Sequence, residues 1–129
     1  MNKNIKVNAA ILIIGNEILS GRTQDTNTST LAIWLNSIGV KVGEVRVIPD
    51  IEKTIIDTVN LLRKNYNYVF TTGGIGPTHD DITAQSISKA FDLKYEIHKE
   101  AFKILEVYYK PGEFNEGRQK MTWMPSNAN

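Results

Sequence analysis

From Val7 onward the chain alternates between short apolar runs and stretches in which apolar residues recur every three or four positions. Val7 to Ile14 contains Ala9-Ala10-Ile11-Leu12-Ile13-Ile14 without a polar interruption. Such continuity predicts a strand covered on both faces, and hence a parallel sheet with helices on either side. Leu31, Trp34, Leu35 and Ile38 predict a helix over Thr28 to Ile38, ended by Gly39, with Trp34 in the core. Val40 to Ile48 alternates as VKV and VRV around Gly43-Glu44, a second strand bulged at the glycine. After Pro49-Asp50 a helix runs to Lys64, with Ile51, Ile55, Val59 and Leu62 on its buried stripe. Tyr68-Val69-Phe70 is the third strand.

Two strand–helix–strand crossovers of right-handed sense give the strand order 2-1-3, with strands 1 and 3 adjacent. The loops that follow them therefore meet where the order reverses. Further along, Leu93 to Ile97 reads as extended, and Lys99 to Tyr109 as a helix with Phe102, Leu105, Tyr108 and Tyr109 in register. Pro111-Gly112 ends it; a polar helical turn at Asn115 to Gln119 and a candidate strand at Met121 to Met124 follow. The fold class is α/β, a three-layer α/β/α arrangement around a mostly parallel central sheet. The length of 129 residues, 41% of them apolar, suits one domain spanning residues 1–129. With no helix after the last strand, that domain reads as cut short at its C-terminal end.

The third strand leads into the chemistry. It passes through Thr71-Thr72 into Gly73-Gly74-Ile75-Gly76, then Pro77, Thr78, His79, Asp80 and Asp81. Glycines let backbone amides approach an anion closely, because no Cβ stands in the way. Asp80 or Asp81 caps the next helix, whose stripe is Ala84, Ile87 and Phe91 and whose N-terminal amides face the turn. Two carboxylates there oppose a bare phosphate, a conflict removed if a divalent cation joins them to the ligand; Asp80 and Asp81 are the candidate metal ligands. Gly15 to Asn27, with Glu17, Gly21 and Asp25, is a loop long enough to point to function. Asp50 has two readings, helix cap or site carboxylate, and His79 two, proton carrier or hydrogen-bond partner. His98 reads as structural or exposed. The glycine spacing fits neither the dinucleotide fingerprint nor a P-loop.

Charge narrows the partners. With 15 basic and 14 acidic residues the formal charge is +1, which gives no electrostatic case for nucleic acid or an anionic membrane. There is no cysteine, so no disulfide framework and no thiolate metal site, and a cytoplasmic location is the default. Lys3 and Lys6 precede an apolar run, but Ala9 to Ile14 is too short to span a membrane.

IGNEILSGRTQDTN followed by TTGGIGPTHDDIT resembles the molybdopterin-binding domain family, and among its branches the competence/damage-inducible protein A type and the related domain of eukaryotic FAD synthases. VIPD and RQKMTWMP have counterparts there too. The resemblance implies binding of molybdopterin or an adenine nucleotide with a divalent metal, magnesium by preference. Some members adenylylate molybdopterin; relatives of the damage-inducible branch hydrolyse the pyrophosphate of ADP-ribose or FAD. It also implies residue roles. Thr72, Gly73, Gly74 and Gly76 would cradle phosphate, with Thr78 beside them, and Asp81 and Asp50 would be the catalytic carboxylates. Gly15, Glu17, Gly21, Asp25 and Asn27 would line the same cleft, with Arg118 a lesser contributor. Asn16 departs from the aspartate many relatives carry. A homo-oligomer, dimer or trimer, is implied. A module that binds pterin or nucleotide without turnover is the alternative.

Overall fold

The computed structural model of the chain describes residues 6–129, so Lys3 and the first five residues of the expected domain lie outside it. Strand β1 (Val7–Ile14) is the centre of a three-stranded parallel sheet of order β2-β1-β3, flanked by β2 (Val40–Ile48) and β3 (Tyr68–Thr72). That position explains its unbroken apolar sequence: Ala9 to Ile14 are all buried, on both faces. On one face Ala10, Leu12 and Ile14 pack with Ile48 and with Ile55, Val59 and Leu62 of α3 (Glu52–Asn65) and Ala90 of α4 (Thr83–Ala90). Each fully buried Leu or Ile there contributes roughly 1.5–3 kcal/mol. Helix α2 (Asn27–Ser37) packs beside β2 and buries Leu35.

The expected bulge is present. Ala9 pairs with Val42 and Ala10 with Glu44, so Gly43 is skipped. A Cβ at Gly43 would stand 2.9 Å from the Tyr66 ring, whose hydroxyl donates to Glu44 at 2.9 Å. Hydrogen bonds from Arg46 and Tyr66 hold the Glu44 carboxyl below its ordinary pKa.

Five expectations are corrected. Ile51, expected on the buried stripe of α3, is 53% exposed, because the helix begins only at Glu52 and Ile51 is its N-cap. Trp34 is 54% exposed, because α2 turns Ile33 and Trp34, with Ile38 at its C-cap, away from the sheet. The loop after β1 contains a turn of helix, α1 (Asn16–Leu19). Neither Asp80 nor Asp81 caps α4: the helix starts at Thr83 after Ile82 and has no side-chain cap. Phe91 is 42% exposed, with the Arg63 guanidinium 4.2 Å from its ring centre.

Beyond α4, β4 (Tyr95–Ile97) and β5 (Trp123–Pro125) form a separate antiparallel ribbon. Between them lie α5 (Lys99–Tyr108) and the short α6 (Glu116–Lys120). His98 has the structural role: Nδ1 accepts from the Ala101 amide at the start of α5, and Nε2 lies 3.1 Å from the Ala128 carbonyl oxygen. Among the described residues no helix is long and apolar enough to cross a membrane.

Candidate functional site

The ends of β1, β2 and β3 come together through the backbone. Asn16 donates its amide to Asp50 Oδ2 at 3.1 Å, and the Asp50 amide donates back to Asn16 Oδ1 at 3.4 Å. This reciprocal pair joins the loop after β1 to the turn after β2. Asp50 is thereby a junction residue and not the cap of α3, whose N-cap is Ile51. Asn16 Oδ1 serves as an acceptor here.

The turn after β3 is pressed onto β1. Gly73 and Gly74 have φ of +89° and +67°, and a Cβ on Gly73 would lie 2.0 Å from the Ile14 carbonyl oxygen. No other residue type fits that approach. Thr83 fixes the turn from the far side, its hydroxyl donating to Gly73 O at 2.8 Å and its amide to Gly74 O at 3.1 Å.

Asp81 folds back into the following turn. Its Oδ2 accepts from the Thr78 amide at 2.8 Å and the Thr78 hydroxyl at 2.7 Å, and Lys120 Nζ donates to the Asp81 carbonyl at 2.7 Å and to the Thr78 carbonyl. Burial pushes the Asp81 carboxyl pKa up, but Thr78, the Gly76 amide and the Lys120 ammonium together outweigh it and hold the group below its ordinary pKa. Asp81 is therefore a fixed, ionised carboxylate. The Thr78 amide and hydroxyl, expected to face a ligand, are taken up by it.

These elements enclose a cavity of about 560 Å³, within the range of small-molecule sites. Of the expected residues, Glu17, Asp50, Gly74, Thr78, Asp80 and Asp81 line it. Asp25, Asn27, Thr72 and Gly73 line a hollow of about 220 Å³ that shares Glu17 with the first. Asp25 also serves α2, its Oδ1 accepting from the Asn27 amide at 3.0 Å. Gly76 lines a third hollow. Gly15 is buried beneath Glu17, where a Cβ would come within 2.6 Å of the carboxylate oxygen. Gly21, at φ +77°, has open space around it and lines none of the three.

Sequence reasoning missed Arg22, Gln85 and Lys120, all lining the main cavity. Arg22 had a signal, a lone cation in a loop already marked by its length. Lys120 had none, since 39 residues separate it from Asp81. Arg118 points elsewhere: it donates to the Glu113 carbonyl at 2.7 Å and sits 4.4 Å from the Tyr109 ring centre.

Residues 10–129 match the model of a family described as a probable molybdopterin binding domain. The chain belongs to that family. Among solved structures, this member of the molybdopterin-binding family is similar to the protein CinA from Thermoplasma acidophilum, 30% identical with a TM-score of 0.86, the match covering 96% of this chain and 73% of that one. The tungsten cofactor synthesizing protein MoaB from Pyrococcus furiosus shares the fold, at 21% identity and a TM-score of 0.62, over 82% of this chain and 66% of that one. A protein from Sulfurisphaera tokodaii is 39% identical over 123 residues, and one from Archaeoglobus fulgidus 37% identical over 118. The matches cover 93% and 92% of this chain, which spans only 47% and 50% of those two relatives.

Proposed function

We propose that the cleft binds a phosphorylated pterin or adenine nucleotide and that the chain acts on its phosphoanhydride with the help of a divalent metal ion. The observation that carries this is the convergence of three strand-end loops on one cavity containing Asp50, Asp81, Arg22 and Lys120. Arg22 and the close-packed Gly73-Gly74 turn favour an anion. Asp50 and Asp81 favour a cation beside it.

Among the described residues no group of three or more acidic, histidine or cysteine side chains is placed to hold a metal. Magnesium needs no such cage, since it keeps much of its water and takes one or two carboxylates plus phosphate oxygens. Asp50 and Asp81 suit that demand, with Asp80 at the exposed rim. When bound, the ion would supply charge neutralisation at the phosphate oxygens. The chain itself supplies the preorganised turn, the ionised Asp81 and the guanidinium of Arg22. His79, exposed on the same rim, is within the cavity lining and available to exchange a proton.

Hydrolysis, in which water takes the attacking side of the phosphoanhydride, is the simplest form of this reaction and the first to test. The test is incubation with ADP-ribose, FAD, or molybdopterin plus ATP, with and without magnesium. Metal-dependent release of AMP from the dinucleotides is expected. Adenylylated product would favour transfer, and binding without any product would favour the non-catalytic module. We also propose that copies of the chain associate, given the apolar side chains α2 exposes.

A further inference from the structure

The glycine turn separates the charged cavity from a hollow of different character, about 210 Å³ in volume. Tyr95 from β4 and Trp123 from β5 form its aromatic wall, with ring centres 5.4 Å apart and planes inclined at 45°. Met121 and Met124 add thioethers, and Ile75 closes the lip from the turn itself. Trp123 remains 37% exposed and Ile75 69%. A single exposed apolar residue is ordinary. Here, however, the exposed isoleucine and the half-covered indole line one concavity, and that concavity shares Gly74, Asp81 and Lys120 with the charged cavity.

We propose that this hollow is a ring subsite, which holds the flat aromatic heterocycle of the ligand whose phosphates lie in the adjoining cleft. The placement of the phosphates in the adjoining cleft rests on the function proposed above; the ring subsite itself rests on the hollow alone. Gly74, Asp81 and Lys120 line both hollows, so a single ligand can reach from one into the other past the turn. Aromatic faces bind rings by stacking, with little regard to the pattern of donors and acceptors. Methionine reshapes easily around different ring edges. The subsite therefore selects flatness, and adenine, flavin and pterin rings all satisfy it. Burial raises the Tyr95 hydroxyl pKa, in keeping with a wall shielded from water.

The test uses the full chain carrying Trp34→Phe, which leaves Trp123 as the one fluorescent indole. Adenosine, riboflavin and neopterin report the ring alone, pyrophosphate the anion alone, and ADP both. Ring compounds are expected to quench Trp123, and ADP to bind at least roughly tenfold tighter than pyrophosphate. With affinities read by calorimetry, because Trp123→Ala removes the indole, that variant and, at the exposed lip, Ile75→Ser are expected to bring ADP down to the level of pyrophosphate while leaving pyrophosphate binding unchanged. Because Ile75 is exposed, its replacement keeps the test decisive should the tryptophan variant fold poorly. An unchanged ratio of ADP to pyrophosphate affinity in Ile75→Ser, or ring binding without quenching, overturns the subsite. If pyrophosphate fails to bind but adenosine still quenches in an Ile75-dependent way, the ring subsite stands and the phosphate reading falls. If pyrophosphate binds and no ring compound adds to it, the reverse holds.

Discussion

A methyl group on Gly73 would stand 2.0 Å from the carbonyl oxygen of Ile14, while one on Gly74 would stand 2.2 Å from the Thr83 hydroxyl and one on Gly21 would meet nothing. All three glycines have positive φ, so alanine costs about 1 kcal/mol at each from the backbone alone. At Gly73 the obstacle is main chain in the middle of the sheet and cannot move aside, so Gly73→Ala is expected to lose at least about 3 kcal/mol in a denaturant titration. Gly74→Ala should fall between, since the Thr83 hydroxyl can rotate at the expense of its bond to Gly73, and Gly21→Ala should lose about 1 kcal/mol. Equal losses at Gly73 and Gly21 would mean that the turn is not packed on β1. Asp81 gives a pH signature at the same scale. Its pKa is depressed in the folded chain, so between that value and the ordinary one near 4 the unfolded chain holds more protons and stability rises with pH. The contribution is complete above about pH 4 and is lost as pH falls through the folded value. Asp81→Asn should flatten the stability profile in that acid window; an unaltered profile would show that the Thr78 and Lys120 contacts do not favour the ionised form. Loss of metal-dependent turnover in the same variant is expected from its proposed place in the cleft.

At the scale of elements, the five-residue helix α6 matters for what it holds in place. Asn115 caps it, its Oδ1 accepting the Arg118 amide at 3.0 Å, and Lys120 reaches from its end to two carbonyls of the Thr78–Asp81 turn. Lys120→Met keeps the aliphatic stem and removes both bonds. The expected loss is roughly 1–3 kcal/mol, accompanied by faster amide hydrogen exchange at Thr78 and Asp81 than in the parent chain. Unchanged exchange there would leave α6 without a hold on the turn. This tether was invisible in the sequence, because nothing local to a lysine on a polar helix says which carbonyl it will reach. The strands were visible. β1 and β2 have the bounds expected of them, and the order β2-β1-β3 follows from short right-handed crossovers. The start of α4 was not, because an aspartate before a helix satisfies the capping pattern whether its carboxylate turns forward to the helix or, as Asp81 does, back to Thr78. Asp50 misled in the same way: its carboxylate pairs with Asn16 across 34 residues of sequence.

At the scale of the whole molecule, the same limit on periodicity explains Trp34. A spacing of three and four identifies a helix face that some apolar surface must cover, but not whether that surface belongs to the same chain. Here it belongs only in part: Leu35 is buried by its own sheet, whereas Ile33, Trp34 and Ile38 are 71%, 54% and 55% exposed. On β2, against which α2 packs, Val45 and Val47 are 43% and 38% exposed, and among the described residues β2 is an edge strand, whose outer backbone groups pair with no further strand. An apolar helix face beside an open edge is a surface that a second copy would cover with gain from both the helix and the strand. The chain is therefore expected to sediment as a dimer or trimer, and Trp34→Glu with Ile33→Lys to sediment as a monomer that retains its helical circular dichroism. Matched charged substitutions at Ile104 and Val107 of α5, which are 61% and 85% exposed, separate the two candidate faces. Dissociation by the α5 pair and not by the α2 pair would move the interface to α5; a parent chain that is monomeric at every concentration would leave no self-association to explain.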